Sequence, residues 1–301
     1  MVTSIGVAFE SVSSGKLRRY FSFDNFVDAF KVPVGVLQSL GKLRKFKPDV
    51  IFSKGGYVTL PVVFAAWMLR IPVVVHESDV SFGLANKVAF KVASRICLSF
   101  EESKKFLRPK YVKRSAFTGS PIREMNGNKK AGLKFLGFDE HRPVMLVMGG
   151  SQGAMQINQL IDSGLSELLK KWQVVHVRGK GNLNMGIKHR GYKQFEYIFD
   201  ELADVYAASK LVVSRGGANS LLELAILRKQ VLVIPYSGRG EQTENASVLA
   251  SKFGWSILSG NIEGDEFLKA IEMLARNKVD ASGSVADGTK QIVDLIIKEG
   301  E

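Results

Sequence analysis

The run Val144-Met145-Leu146-Val147-Met148-Gly149-Gly150-Ser151-Gln152-Gly153-Ala154 decides the fold. Five apolar residues in succession read as a strand buried on both faces, the habit of a parallel sheet. Behind the glycines, apolar residues fall at 157, 160, 161, 165, 168 and 169, the spacing of a helix with one core-facing stripe. Residues 173–179 (QVVHVRG) then predict the next strand. The result is a strand–glycine loop–helix–strand unit with its loop at the carboxyl end of a strand. Glycines there let the backbone approach a phosphate, and the free amides of a helix start attract its charge. A ligand-free βα turn uses glycine as well, for its positive φ. The loop alone leaves both readings open.

The rest of the second half repeats the pattern. Strands are predicted at 195–198, 211–214, 231–235 and 255–258, and helices at 201–209, 221–228, from Glu241, near 264–276 and near 286–298. The strand at 211–214 ends in a second glycine turn, Arg215-Gly216-Gly217-Ala218-Asn219-Ser220. Glu223 follows one helical turn later, where a carboxylate accepts both hydroxyls of a ribose; an ordinary surface glutamate fits the same spot. The helix from Glu241 carries Gln242 and Asn245.

The first half is α/β too. Residues 7–12 (VAFESV) read as a short strand, followed by a basic, aromatic stretch at 13–21. A helix is expected over 24–46, with Asp24 as N-cap and Pro33 kinking or splitting it. Its Phe26 and Phe30 precede the cluster Lys42, Arg44, Lys45 and Lys47. Phenylalanines beside basic residues suit a helix lying on an anionic bilayer, and equally a core-facing helix with a solvated basic end. A strand at 50–53 ends at Lys54-Gly55-Gly56-Tyr57, with a helix over 59–69. The strand 72–77 ends in His76-Glu77, where α/β proteins build their sites. A zinc-binding HExxH helix is excluded, because Val80 stands where the second histidine belongs. A helix at 82–94, a strand at 95–100, a short helix at 101–107 and a strand at 113–117 complete this half. The polar residues 124–132 mark the domain boundary.

Composition narrows the class. A chain of 301 residues with 46% hydrophobic and 24% charged residues makes one or two ordinary globular domains. The single cysteine, Cys97, forms no disulfide within the chain and sits in an apolar run, as a buried packing residue does. Neither a signal peptide nor an apolar run of about 18 residues is present, so nothing is expected to span a membrane. The net charge of +13 is uneven: residues 1–121 hold 19 basic and 8 acidic residues, a net +11. By charge alone, nucleic acid and an anionic membrane are both candidate partners. A dinucleotide fingerprint and a GxxxxGK[ST] loop are both missing, which leaves dinucleotide enzymes and P-loop NTPases unsupported.

Seven runs carry a specific resemblance, in order along nearly the whole chain: SSGKLRRYFS (13–22), PDVIFSKGGYV (48–58), HESDVSFGLANK (76–87), FTGSPIRE (117–124), MGGSQGA (148–154), EYIFDELADVYAASKLVVSRGGANSLLEL (196–224) and GEQTENA (240–246). The chain resembles the MurG family, bacterial N-acetylglucosaminyltransferases that act on UDP-N-acetylglucosamine (UDP-GlcNAc) and undecaprenyl-linked lipid I in peptidoglycan synthesis. The resemblance implies a GT-B fold, two Rossmann-like α/β domains with parallel sheets facing a central cleft. It divides the chain into an acceptor and membrane-side domain (1–123), a UDP-GlcNAc-binding domain (124–284) and a C-terminal helix (285–301) packing back on the first domain.

By motif, the resemblance gives Arg123, Ser151 and Gln152 to the donor diphosphate, and Ala218, Asn219 and Ser220 to the phosphates and sugar. It gives Glu223 to the ribose, the backbone of Ile198 to uracil, and Gln242 and Glu241 to the GlcNAc hydroxyls. Glu241 departs from the family's usual glutamine or histidine. Gly55, Gly56, Tyr57, His76, Glu77, Asp79 and Asn86 match the acceptor-side motifs, with Asp79 replacing a common asparagine. A membrane patch of Phe21, Phe23, Phe26, Phe30, Lys42, Arg44, Lys45 and Lys47 is implied, on a peripheral protein of the cytoplasmic membrane face. Its partners are then an anionic membrane surface and cell-wall synthesis proteins, without nucleic acid and with no metal clearly required. The family opens with a strand and a GGTGGH-type loop that carries its usual general base. This chain is expected to lack that segment and to have an incomplete first domain. That leaves two expectations: an inverting transferase with His76 as the remaining candidate base, or a donor-binding subunit needing a partner that supplies the loop.

Overall fold

The computed structural model describes residues 6–14, 23–150, 154–236, 240–277 and 283–301, with the backbone alone for 23–31. The chain falls into two compact units, Met1–Pro121 with Ala286–Glu301, and Ile122–Val285.

Unit 1 holds α1 (Phe23–Phe46), β1 (Ile51–Ser53), α2 (Leu60–Met68), β2 (Val73–Glu77), α3 (Leu84–Ala89), β3 (Arg95–Leu98), α4 (Pro109–Val112) and β4 (Ser115–Phe117). The strands form one parallel sheet in the order β1-β2-β3-β4. Successive side chains of a strand point to opposite faces. In β2, Val73 and Val75 accordingly join Leu40 and Leu43 of α1, Val63 and Ala66 of α2 and Ala85 of α3 in one core.

The differences from the sequence expectations are local. Residues 7–12 form no strand; Val7 and Phe9 are exposed, while Glu10 pairs with Lys42 and the Ser13 amide donates to Gln38 Oε1 at 2.8 Å. Contacts with α1 replace the sheet partner a strand needs. Pro33 lies inside a single 24-residue α1 and does not split it. A proline removes one backbone donor, and the packing of α1 along α2 is the kind of tertiary contact that outweighs it. The helix expected at 82–94 is shortened to Leu84–Ala89, because Phe90–Val92 turn toward β3.

Unit 2 holds α5 (Lys129–Leu136), β5 (Val144–Met148), α6 (Met155–Lys171), β6 (Gln173–Val177), β7 (Tyr192–Phe195), α7 (Leu202–Ala208), β8 (Ser209–Ser214), α8 (Ala218–Ile226), β9 (Gln230–Val233), α9 (Gly240–Phe253), β10 (Ser256–Ile257) and α10 (Gly264–Arg276). Its six strands are all parallel, in the order β10-β9-β8-β5-β6-β7. Ile157, Leu160, Ile161, Leu165 and Leu168 of α6 are buried against Met145, Val147 and Val174. The stretch read as a polar boundary runs into the first turn of α5, whose start is capped where Asn128 Oδ1 accepts the Ala131 amide at 3.1 Å. Helix α11 (Thr289–Gly300) returns to unit 1. Its Ile292, Leu295 and Ile296 cover Val74 and Cys97 on the second face of that sheet, and Glu299 pairs with Arg95 at 2.7 Å.

The order of the six-stranded sheet reverses at β5. The chain goes from β5 to β6 on one side and later to β8 on the other. Open α/β sheets bind ligands in the crevice at such a switch point, outside the carboxyl ends of the strands. Both glycine turns of unit 2 follow the two strands that meet there, β5 and β8.

Candidate active site

In unit 2, α8 begins directly after the turn that leaves β8, so Ala218, Asn219 and Ser220 form its first turn. The first amides of a helix have no intrahelical acceptor and face outward as donors. Ala218 is buried, Ser220 half-buried and Asn219 exposed. Glu223, one turn on, is half-buried and accepts the Tyr206 hydroxyl at 3.4 Å through Oε2. Tyr206 is wholly buried, and its hydroxyl also reaches Met148 Sδ at the end of β5, 3.3 Å away. Burial raises the Glu223 pKa, while the Arg123 charge and the Tyr206 hydroxyl oppose the rise. Arg123 is exposed, with Nη2 3.8 Å from Met125 Sδ. Gln242 Oε1 accepts the Tyr236 amide at 3.2 Å, and its side chain lies against Gly216, whose φ is 95°. Glu241 is half-buried in the first turn of α9, and Ile198 is buried beyond β7. Ser151 and Gln152 lie outside the described residues.

In unit 1, the ends of β1, β2 and β3 converge on His76. The ring is completely buried. Nδ1 lies 3.3 Å from Lys54 Nζ and 3.4 Å from Ser78 Oγ; Nε2 lies 3.2 Å from both Gly119 O and Ser99 Oγ. An ammonium only donates, so Nδ1 is the acceptor and Nε2 carries the proton, given to Gly119 O. Burial, then the Lys54 charge, lowers the His76 pKa to about 4. A ring with both nitrogens engaged and no exposure is not arranged to take a proton from a substrate, which counts against His76 as the base.

Glu77 is buried beside it. Its carboxylate accepts the amides of Asp79 (3.0 Å) and Gly83 (3.3 Å) and Asn86 Nδ2 (3.0 Å). Burial dominates these bonds and raises its pKa to about 7. It shapes the turn from β2 to α3. Gly55, at φ 90°, lies so close to Asn86 that a Cβ there would stand 2.8 Å from Nδ2. Gly56 is open, Tyr57 half-buried and Asp79 half-buried.

On α1, Lys42 pairs with Glu10, whereas Arg44, Lys45 and Lys47 are exposed beside exposed Leu37 and Phe46. Phe21 and the side chains of Phe23, Phe26 and Phe30 lie outside the described residues. Among the described residues, no helix is long and apolar enough to cross a membrane, and no group of three or more His, Cys, Asp or Glu is placed to hold a metal ion.

Sequence reasoning did not single out Tyr206, Lys54, Ser99 or Ser120. Position in the pattern was the available signal: Tyr206 belongs to the helix before the second glycine turn, and Lys54 precedes the glycine pair.

Two parallel α/β units, with polar residues gathered at the carboxyl ends of their strands and a glycine-flanked switch point in the second, define a Rossmann-like protein of the nucleotide-binding kind. The chain belongs to glycosyltransferase family 28: the family's N-terminal domain matches residues 1–98 and its C-terminal domain residues 144–296. It is 46% identical over 279 residues to a Bacillus cereus UDP-N-acetylglucosamine–N-acetylmuramyl-(pentapeptide) pyrophosphoryl-undecaprenol N-acetylglucosamine transferase, covering 90% of this chain and 78% of the relative. A Clostridium perfringens transferase of the same name is 43% identical over 311 residues, covering 99% and 86%. Among solved structures, Acinetobacter baumannii MurG matches with a TM-score of 0.65 at 21% identity, over 90% of this chain and 79% of that one. A Neisseria meningitidis UDP-GlcNAc 2-epimerase matches with 0.67 at 15%, over 94% and 84%. These two structural likenesses speak for the fold.

Proposed function

We propose that this chain transfers GlcNAc from UDP-GlcNAc to the C4 hydroxyl of lipid-linked MurNAc-pentapeptide, lipid I, giving lipid II. The observation that carries this is the 43–46% identity along 90–99% of the chain to transferases of that name. In this reading the hydroxyl attacks the anomeric carbon with inversion as UDP departs. Glu223 takes the ribose hydroxyls. Arg123, Ser151, Gln152 and the first-turn amides of α8 bear the charge that grows on the leaving diphosphate; donors fixed in advance stabilise such charge best. Ala218, Asn219 and Ser220 line the same donor. Gln242 and Glu241 contact the sugar, and the Ile198 backbone reads the base. The proposal adds no resident metal. It has the protein bind peripherally to the cytoplasmic face of the membrane through the basic end of α1.

The test is transfer of labelled GlcNAc from UDP-GlcNAc to a lipid I analogue by the purified chain, with UDP binding measured on the same sample. Lipid II formation is the expected result. UDP binding without turnover would favour a donor-binding subunit instead, and absence of both would overturn the reading.

A further inference from the structure

Much of the basic charge of unit 1 lies away from α1. Residues 82–114 hold nine lysines and arginines against two acidic residues, Glu101 and Glu102, so they carry +7 of the +11 found in residues 1–121. Some of these cations have tasks within the fold. Arg95 pairs with Glu299, Lys104 pairs with Glu101, and Arg114 donates to the carbonyls of Phe90 and Ala93. Lys87, Lys91, Lys105, Arg108 and Lys110 are all exposed, and among the described residues none of them pairs with a carboxylate.

These five cations surround an apolar groove of about 400 Å³ between α3 and residues 106–111. Its floor is aromatic. Phe82 meets Phe90 and Phe106 edge-on, with ring centroids 5.1 and 6.2 Å apart, and Phe90 meets Tyr111 at 6.2 Å. Edge-to-face rings hold one another in place, so the floor is formed before any partner arrives. Phe82, Phe90 and Tyr111 are buried, whereas Leu84 on one lip and Phe106 on the other are 49% and 42% exposed. Leu84, Lys87 and Val88 share one face of α3, with Lys91 just past its end. Across the groove stand Arg108, Lys105 with Nζ 4.9 Å from the Phe106 centroid, and Lys110 with Nζ 5.1 Å from that of Tyr111.

This distribution selects the occupant. A lipid has one anionic end, so its site gathers cations at one end of an apolar slot; here cations stand on both walls. Stacked bases need open ring faces, but three of the four rings are buried and Lys105 lies over the fourth. A helix with an apolar stripe flanked by acidic residues meets both walls and the floor together. We propose that the groove between α3 and residues 106–111 docks an acidic amphipathic helix of a partner protein. Its apolar anchors, spaced i, i+3 or i+4 and i+7, fill the aromatic floor. Its carboxylates pair with Lys87 and Lys91 on one wall and with Arg108 and Lys110 on the other. Helix α2 packs against both α1 and α3, so this surface is separate from the basic end of α1. It does not rest on the transfer reaction.

The test uses the full chain and two synthetic helical peptides with the same apolar stripe, one flanked by glutamates and one by lysines, read by fluorescence anisotropy. The glutamate-flanked peptide is expected to bind the parent chain, more weakly as salt rises, and the lysine-flanked peptide to bind far less. Lys87→Glu/Lys91→Glu should weaken the first about tenfold or more and strengthen the second, the scale of two ion pairs turned into like-charge contacts. A variant that merely misfolds loses both peptides, so the exchange of preference is specific to the rim. Leu84→Ser, at an exposed position, should weaken the glutamate-flanked peptide without altering its salt dependence. Co-sedimentation with phosphatidylglycerol vesicles should be the same for parent and variants. No binding of the glutamate-flanked peptide to the parent, or binding indifferent to Lys87 and Lys91, overturns the proposal. Vesicle binding that falls in Lys87→Glu/Lys91→Glu while the peptide affinities hold gives the groove to anionic lipid and overturns it as well.

Discussion

The Tyr206 hydroxyl donates to Glu223 Oε2 at 3.4 Å, joining the helix before β8 to the helix after it. Because Tyr206 is fully buried and Glu223 half-buried, this bond orients a carboxylate that burial would otherwise push toward its neutral form. In Tyr206→Phe, the KM for UDP-GlcNAc should rise about three- to tenfold with kcat nearly unchanged, as for loss of one bond to a charged acceptor. Loss of a donor to the ionised form should raise the Glu223 pKa further, so the acidic limb of kcat/KM for the donor moves to higher pH. Steady-state kinetics across pH checks both. A KM that stays put in Tyr206→Phe would remove Tyr206 from donor binding.

A second relationship governs stability. Arg178 is buried, and its two Nη atoms meet the Asp162 carboxylate at 2.6 and 2.9 Å. Its Nη1 also donates to the Tyr192 hydroxyl, which lies 3.0 Å from His176 Nδ1. Asp162→Ala would leave a buried guanidinium without its counter-charge, a change that costs about 3–5 kcal/mol for fully buried pairs and less here because Asp162 is partly exposed. The expected loss is about 2–4 kcal/mol in urea unfolding, smaller in the double variant Asp162→Ala/Arg178→Met. Equal losses in the single and double variants would show that the guanidinium left behind by Asp162→Ala carries no penalty of its own.

The α/β class and the strand order along the chain were legible because period and punctuation are local. The apolar run 144–148 and the stripe of α6 lie where the residues alone place them. What was not legible depended on distant partners. Residues 7–12 read as a short strand, yet Ser13 and Glu10 bind side chains of α1 instead. The segment 124–132 reads as linker, but Asn128 caps a helix whose other support comes from α7. At the site, glycine turns and Glu223 could be found by motif. Tyr206 and Lys54 could not, since their meaning lies in what they face across elements.

The neighbours Glu77 and His76 should give unit 1 an unusual pH response. The folded pKa of Glu77 is raised, to about 7 from 4.5, so its contribution is fully present below pH 4.5 and is lost as pH rises through 7. The folded pKa of His76 is depressed, to about 4 from 6.5, so its contribution is present above pH 6.5 and is lost as pH falls through 4. Each is worth up to ~3 kcal/mol at 1.36 kcal/mol per pKa unit, with opposite slopes that largely cancel between about pH 4.5 and 6.5. Glu77→Gln should therefore reveal a stability that rises with pH over that range, and His76→Gln one that falls. Denaturant unfolding at half-unit pH steps reads the slopes. Parallel curves for both variants and the parent would mean that neither group is perturbed.

Gly55 and Gly56 offer a contrast within one turn. Both have φ near 90°, so alanine at either is strained by about 1 kcal/mol. Only at Gly55 would the new methyl meet a neighbour, 2.8–2.9 Å from the Asn86 amide nitrogen and oxygen. Asn86 cannot retreat easily, because it holds His76 O and Glu77 Oε2 and is itself buried. Gly55→Ala should therefore displace the Asn86 amide and loosen the Glu77 turn. It should cost clearly more stability than Gly56→Ala and raise the KM for the lipid-linked acceptor without altering that for UDP-GlcNAc. Unfolding free energies and the two KM values, measured side by side on both variants, check this. If Gly56→Ala proved the more damaging at the acceptor, the ligand would approach over Gly56, and the space between Gly55 and Asn86 would be a packing contact only.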